Sequence, residues 1–363
     1  MIKYLGSKRL LVPLIVDVIR SLGEERTVVD LFSGTSRVGH ALKGKGHRIL
    51  ANDLGAYAAV LARCYVQADR EDIIDDVRRL LPEMAAVPGQ PGYITETFCE
   101  QARFFQPKNG ERIDAMRDWI DQRSLDPEIE AVLLVSLMEA ADRVDSTTGV
   151  QMAYLKSWAP RAHNDLELRL PDVISRAAAG KALVLQMEAQ EAASVLSGDI
   201  GYLDPPYNQH SYLGNYHVWE TLVRWDHPEA YGVAQKRLDT RHRKSDFNSK
   251  RKIGDALRTV VLKLDVDDLV VSFSDEGYIS REQMIEILSV RGEVIVLEKD
   301  YKRYVGAQIG IYNPGGVKVG KVSRLRNKEL LFIVPGASRT VAAVRRRLRA
   351  VESRHGADAM YAS

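Results

Sequence analysis

The sequence predicts an α/β protein: a doubly wound, mostly parallel sheet of seven strands with a helical subdomain inserted into it. Three observations carry this. Short apolar runs that read as strands alternate with helical patterns at both ends of the 363-residue chain. Near the start, one such strand runs into a glycine turn and then a helix, the opening of a βαβ unit. Between the two alternating ends, residues 56 to about 171 follow helical spacing throughout, as in Ala131, Leu134, Val135 and Met138. The division expected is a sheet-forming domain of residues 1–55 and 181–335, a helical insertion of 56–180 and a basic tail of 336–363.

Candidate strands run over 27–31, 48–51, 182–186, 200–203, 269–273, 293–297 and 330–334. The first ends in Asp30-Leu31, and Phe32-Ser33-Gly34-Thr35-Ser36 reads as a tight turn before a helix that starts at Arg37. A strand, a glycine turn and a helix start form a cradle for a nucleotide-like ligand. Gly34 and Gly39 are the glycines there, so a G-x-G-x-x-G fingerprint is absent. The second strand ends in Asn52-Asp53, and Asp53 stands 19 positions after Gly34, where an acid can hydrogen-bond ribose hydroxyls. An ordinary βαβ unit without a ligand would share these features.

The strand at 200–203 runs into Asp204-Pro205-Pro206-Tyr207. Proline donates no backbone N–H and fixes φ, so the strand stops there. The carboxylate of Asp204 and the carbonyl of Pro205 offer two acceptors, and Tyr207 offers a flat ring. That set suits a planar base with an exocyclic amino group; a proline-rich turn capped by Asp would use the same residues. A cradle for an adenosine-type cofactor together with a pocket for an amino-bearing base points to methyl transfer from S-adenosylmethionine.

Composition sets the remaining bounds. Charged residues are 28% and hydrophobic residues 45%, ordinary for a soluble globular protein, and the net charge is +2. Basic residues are nevertheless clustered: residues 235–252 hold eight Lys or Arg against two Asp, a run able to track a phosphate backbone or to stay a solvated loop. Lys318, Lys321 and Arg324 begin another basic stretch. Cys64 and Cys99 are far apart and make neither a disulfide framework nor a zinc site, so no metal is expected. The N-terminal apolar stretch is too short and interrupted for a membrane span, and the default location is cytoplasmic.

The ordered motifs resemble the adenine-specific DNA methyltransferases of restriction–modification type, in the group whose cofactor loop precedes D-P-P-Y. Lys3-Tyr4-Leu5-Gly6-Ser7-Lys8-Arg9 is similar to that family's N-terminal cofactor motif, and Asp30-Leu31-Phe32-Ser33-Gly34 to its glycine motif, with Ser36 where a second glycine is common. Gly198-Asp199 resembles the family's acid that contacts the cofactor adenine. Similar stretches continue through Val150 to Tyr154, Asn215-Tyr216-His217, Ser272 to Gly277 and Tyr301-Lys302-Arg303-Tyr304.

The resemblance implies a Rossmann-like methyltransferase sheet, S-adenosylmethionine as cofactor and duplex DNA as partner. It places Asp204, Pro205, Pro206 and Tyr207 in catalysis on a flipped-out adenine. It places Tyr4, Gly6, Lys8, Asp30, Phe32, Ser33, Gly34, Thr35, Ser36, Asp53 and Asp199 at the cofactor, with Lys8 on its carboxylate, Asp53 on its ribose and Asp199 on its adenine amine. Lys156, Arg161, Tyr212, Tyr216, Arg241, Arg243, Lys244, Lys250 and Arg251 are the expected DNA contacts. The helical insertion is the expected target-recognition region, and a cognate restriction endonuclease is a further partner the resemblance allows. Two other readings stay open: N4-cytosine methylation, and a non-catalytic DNA-binding protein on the same fold.

Overall fold

The computed structural model describes residues 1–4, 8–209, 211–302, 311–312, 318–320 and 326–361. Gly6, Arg303, Tyr304, Lys321 and Arg324, singled out above, lie outside the described residues.

The seven expected strands all form: β1 (Thr27–Asp30), β2 (Arg48–Asn52), β3 (Leu183–Leu185), β4 (Ser197–Leu203), β5 (Asp265–Ser274), β6 (Ile295–Lys302) and β7 (Arg326–Val334). An eighth, β8 (Asp358–Tyr361), joins the edge, giving the order β8-β6-β7-β5-β4-β1-β2-β3. The pairings from β3 through to β5 are parallel, and β7 is antiparallel to both of its neighbours. Side chains alternate between the faces with the period of two that a strand imposes. Val28, Ile49, Ile200, Tyr202, Val270 and Leu331 enter one core, while Val29, Leu50, Leu203, Leu269, Val271 and Phe332 enter the other.

The helices sort onto these two faces. The first core takes α1 (Val12–Leu22), α2 (Arg37–Lys43), α3 (Ala56–Ala62), α4 (Arg70–Ala86), α5 (Pro107–Asp121) and α6 (Pro127–Arg143). The second takes α7 (Ala189–Val195). Next in the chain, α8 (His217–Arg224) joins the first core, and α9 (Ile253–Lys263) and α10 (Arg281–Leu288) join the second. Local signals set the ends: the Asp126 carboxylate caps the start of α6 by accepting from the Glu128 amide at 2.8 Å, and Ser280 with Gln283 closes a capping box on α10.

The stretch expected to be an inserted subdomain shares one continuous hydrophobic cluster with the sheet. Its axis is α6, which is apolar nearly all round: Val132, Leu133 and Leu137 are buried beside the predicted Leu134, Val135 and Met138. The residues after Gly336, expected as a tail, fold back as α11 (Val341–His355), which buries Val344, Leu348 and Val351. Arg354 and His355 meet Asp17 of α1 at 2.7 and 2.9 Å, and β8 then pairs with β6. The arginine run belongs to an amphipathic helix: Arg346, Arg347 and Arg349 are exposed, while 344, 348 and 351 make the inner stripe.

The turn after β1 is left-handed at Gly34 (φ 50°) and at Ser36 (φ 59°). Ser36 is fully buried, and its Oγ finds no hydrogen-bond partner among the described residues. A residue with a Cβ is strained in this region, which explains why the resembling motif has glycine there. Ser36→Gly is expected to stabilise the protein by about 1 kcal/mol in chemical denaturation; a loss of stability would contradict this account. Gly110 of α5 sits where a Cβ would stand 2.4 Å from Cys99 Sγ and 3.2 Å from Thr95 Cα. Gly110→Ala is therefore expected to destabilise by about 1–3 kcal/mol through overpacking, read as a lowered melting temperature.

Candidate active site

Strands β1 and β4 lie side by side, with Asp30 opposite Tyr202. From β1 the sheet builds outward to β2 and β3, and from β4 it builds the other way. Such a reversal leaves a crevice beyond the carboxyl ends of the two strands, the standard ligand position in an open α/β sheet. The crevice here is lined by one loop from each strand: 31–35 after β1, 53–55 after β2, 187–189 after β3, and Asp204 and Pro206 after β4. Tyr4, Lys8, Tyr57, Tyr212 and Arg243 complete the wall.

Hydrogen bonds lock these loops together. Asp53 accepts from the Gly34 amide at 2.9 Å through one oxygen and from the Gly55 amide at 3.0 Å through the other. The Asn52 amide group donates to the carbonyls of Leu31 and Met187 at 3.3 and 3.1 Å, and its oxygen accepts from the Met187 amide at 3.2 Å. Three strand ends are thus held by two consecutive side chains. On the far wall the Tyr4 ring is stacked between Tyr212 and Tyr216, with ring centroids 5.2 and 4.5 Å apart. Its hydroxyl meets that of Tyr57 at 3.2 Å.

The crevice is rich in carboxyl groups. Burial, with help from Asp204 and Asp53, pushes Asp30 up to about 8. Burial also pushes Asp204 up to about 6, against the pull of Lys8. Glu188 is raised, mainly by burial and then by Asp246. Lys8 Nζ stands 3.1 Å from Asp204 Oδ1 and also pairs with Glu329. Burial opposes its charge, yet the two carboxylates raise its pKa well above the ordinary value. Several buried polar atoms have no partner among the described residues: Asp30 Oδ1, Ser33 Oγ and the Tyr202 hydroxyl. Buried polar atoms are rarely left so, and these line the crevice. Acids that accept from hydroxyls and amines, together with orphaned oxygens, fit a cationic, hydroxyl-bearing nucleoside.

Most of the predicted catalytic and cofactor residues meet here: Tyr4, Lys8, Asp30, Phe32, Ser33, Gly34, Thr35, Asp53, Asp204 and Pro206 line the crevice, joined by Tyr212. Pro205 is buried beneath the loop, and Tyr207 packs edge-on to Phe273 with centroids 5.9 Å apart. Several expectations need correction. Asp199 lies near the start of β4, at the opposite end of the strand from Asp204, where it accepts from the Thr27 amide at 2.7 Å and pairs with Arg26. The acid at the end of β3 is Glu188, which the sequence reading missed because no motif marks it. Lys8 is held by two carboxylates rather than left open for a third. Ser36 shapes the turn from beneath and does not line the crevice.

Among the expected DNA contacts, Tyr216 is 1% exposed and stacks inside the wall, because an aromatic after a loop can as well face the core. Arg161 grips Asp145 at 2.6 Å and the Thr147 carbonyl at 2.6 Å. Arg243 binds Glu220 at 3.0 Å and lines the crevice. Lys156, Arg241, Lys244, Lys250 and Arg251 are exposed. Their segment is anchored from below: Phe247 meets Phe32 edge-on at 4.9 Å, and the Asn248 amide donates to the Asn208 carbonyl at 2.9 Å, although Lys156 belongs to a separate loop.

Both cysteines are buried, their thiols raised by burial, and neither lines the crevice. Among the described residues no cluster of three or more His, Cys, Asp or Glu could hold a metal ion, and no helix is long and apolar enough to cross a membrane.

Comparison with known proteins agrees with this architecture. A family model described as D12 class N6 adenine-specific DNA methyltransferase matches residues 4–287. Modification methylase StsI of Streptococcus sanguinis is 29% identical over 321 residues, 83% of this chain and 48% of its own. Type II methyltransferase M.NlaIII of Neisseria lactamica is 30% identical over 288 residues, 77% of this chain and 84% of its own. Type II methyltransferase M.FokI of Planomicrobium okeanokoites is 30% identical over 321 residues, 83% of this chain and 48% of its own. The chain therefore spans about half the length of StsI and M.FokI. Because the family match runs through both the turn after β1 and the loop after β4, the chain belongs to the D12 class of N6 adenine-specific DNA methyltransferases.

Proposed function

We propose that this chain methylates N6 of a flipped-out adenine at a specific site in duplex DNA, with S-adenosylmethionine bound in the crevice. The observation that carries the reading is the position of Asp204, directly beside a carboxyl-lined crevice at the junction of β1 and β4. Asp53 and Glu188 are suited to the cofactor's hydroxyls and amine, and the unpartnered oxygens of Asp30 and Tyr202 to the remaining donors. When bound, S-adenosylmethionine would supply an electrophilic methyl carbon, with its sulfur able to take the bonding pair.

The lone pair of an aromatic amine is delocalised and weakly nucleophilic. Asp204 and the Pro205 carbonyl accept its two hydrogens and draw the nitrogen towards tetrahedral geometry. Tyr207 holds the plane of the base. Positioning supplies much of the rate gain, and no covalent enzyme intermediate is needed. Once methylated, the nitrogen bears one positive charge, and the Asp204 carboxylate takes up its surplus proton. Exposed Arg241, Lys244, Lys250 and Arg251 lie on the segment whose Arg243, Ser245 and Asn248 line the crevice, so they are placed to hold phosphates around it. The inserted region of residues 56–180, α-helical only as far as Arg143 and mostly irregular beyond it, is the proposed source of sequence recognition. The relatives' names as modification methylases support a role beside a cognate endonuclease, and a DNA substrate supports a cytoplasmic location.

Sequencing DNA from cells that express this chain, with detection of N6-methyladenine, tests the reading against an Asp204→Ala control. A methylated motif that vanishes in the control is expected; methylated cytosine N4 in its place would replace adenine as the target. With purified protein, Asp204→Ala is expected to lower turnover at least about 1000-fold while cofactor affinity by calorimetry changes less than about threefold. The pH dependence follows from the acid's raised pKa. The working form is the carboxylate, so kcat/KM for DNA is retained above about 6 and falls as the pH drops through it. An acid limb near 4 would mean that Asp204 is not the group titrating.

A further inference from the structure

Glu329 has no part in the chemistry above. It lies beyond residues 4–287 of the family match, on β7, separated from β4 by β5. Its carboxyl is 2% exposed. Oε1 accepts from the Ser272 hydroxyl of β5 at 2.7 Å and pairs with Lys8 Nζ, whose other neighbour is Asp204 at 3.1 Å. The antiparallel entry of β7 beside β5 delivers it: Glu329 stands opposite Ser274 and Leu331 opposite Ser272, in register with the end of β5.

A buried carboxylate, Glu329, and a half-buried one, Asp204, therefore share one ammonium. A lysine needed only to neutralise Asp204 would be satisfied by that single acid, and a second buried acid adds a desolvation penalty that a pair avoids. We propose that Glu329 is a positioning residue for methyl transfer: by holding part of the Lys8 charge, it leaves the Asp204 carboxylate oriented yet open to the amine of the incoming base. This rests on the adenine reading given above. The N–H of a neutral aromatic amine is a weaker donor than an ammonium. With Lys8 wholly committed to Asp204, the base would have to break a closed ion pair. With Lys8 anchored on Glu329, Asp204 keeps an acceptor for the base. The charges agree in direction: Glu329 raises the proton affinity of Asp204 and Lys8 lowers it.

The test is the titration of Asp204 in the cofactor-free protein, followed by carbon-13 NMR of carboxyl-labelled aspartate, with the resonance identified by its loss in Asp204→Asn. Glu329→Gln keeps the shape and the acceptor for Ser272 but removes the charge. Its Asp204 midpoint is expected to fall by about half a pH unit or more. Turnover on DNA is expected to drop about tenfold, with KM for DNA within about twofold, and Glu329→Asp is expected to restore most of both. An unmoved midpoint overturns the proposal, as does a lost rate with an unchanged midpoint and a lowered melting temperature. Should Glu329→Gln fail to fold, Lys8→Met is compared with Lys8→Met/Glu329→Gln. Equal turnover supports action through Lys8, and a further tenfold loss overturns it. If the wild-type protein methylates no adenine, the reaction reading fails, while the titration, which needs no substrate, still judges Glu329.

Discussion

The parallel pairing of β1 with β4 is the constraint on which the site depends. It brings Asp30 level with Tyr202, so the glycine turn and the Asp204 loop emerge together although about 170 residues separate them in the chain. Parallel strands need a long crossover between them. Here that connection passes through β2, the helices α3 to α6 and β3, whose own ends add Asp53 and Glu188 to the same crevice. One pairing thus gathers four loops, and Asn52 with Asp53 fixes the three after β1, β2 and β3 to each other.

Electrostatically the crevice is held in a state that folding alone would not favour. Asp30 and Asp204 bind protons more tightly in the folded chain than in the unfolded one, at about 8 and about 6. A raised acid pKa means that stability falls as pH rises from the unfolded value towards the folded one, so near neutrality both groups destabilise the fold. Such opposed burial is common where a ligand is to be received, because the ligand supplies the missing partners. Lys8 moderates it for Asp204 while Glu329 acts in the opposite direction, and Asp30 Oδ1 has no partner among the described residues.

The same economy governs the basic segment after the catalytic loop. Arg237 is buried and bound bidentately by Asp226, and Arg243 is bound by Glu220, so these two charges build the segment rather than face outward. Phe247 then fastens it over Phe32. What remains exposed is a smaller set, Arg241, Lys244, Lys250, Arg251 and Lys252, the last of them paired with Asp246. A count of basic residues along the chain cannot separate supports from contacts.

Local patterns were enough for all seven core strands, the turn at Gly34 and the loop at Asp204, because a period of two, a required left-handed residue and a proline stop are properties of neighbouring residues. The family resemblance, not a local pattern, set Ser36 apart, and its φ of 59° gives the reason. Local patterns failed where a role depends on which end of a strand a residue occupies or which way it points. Asp199 lies near the start of β4, whereas Asp204 follows its carboxyl end. Tyr212 and Tyr216 are four apart, and both stack on Tyr4, but one lines the crevice and the other is buried behind it. Glu188 had no motif, β8 was hidden behind a basic helix, and Glu329 reached Lys8 across 321 residues. The sequence by itself determined the class of fold and the chemistry of its two key loops, since both are written in short-range steric and hydrogen-bonding preferences. Which acids are dry, which cations are already paired and which carboxylate restrains Lys8 were decided only by tertiary structure, because burial and charge partnership arise between strands distant in sequence.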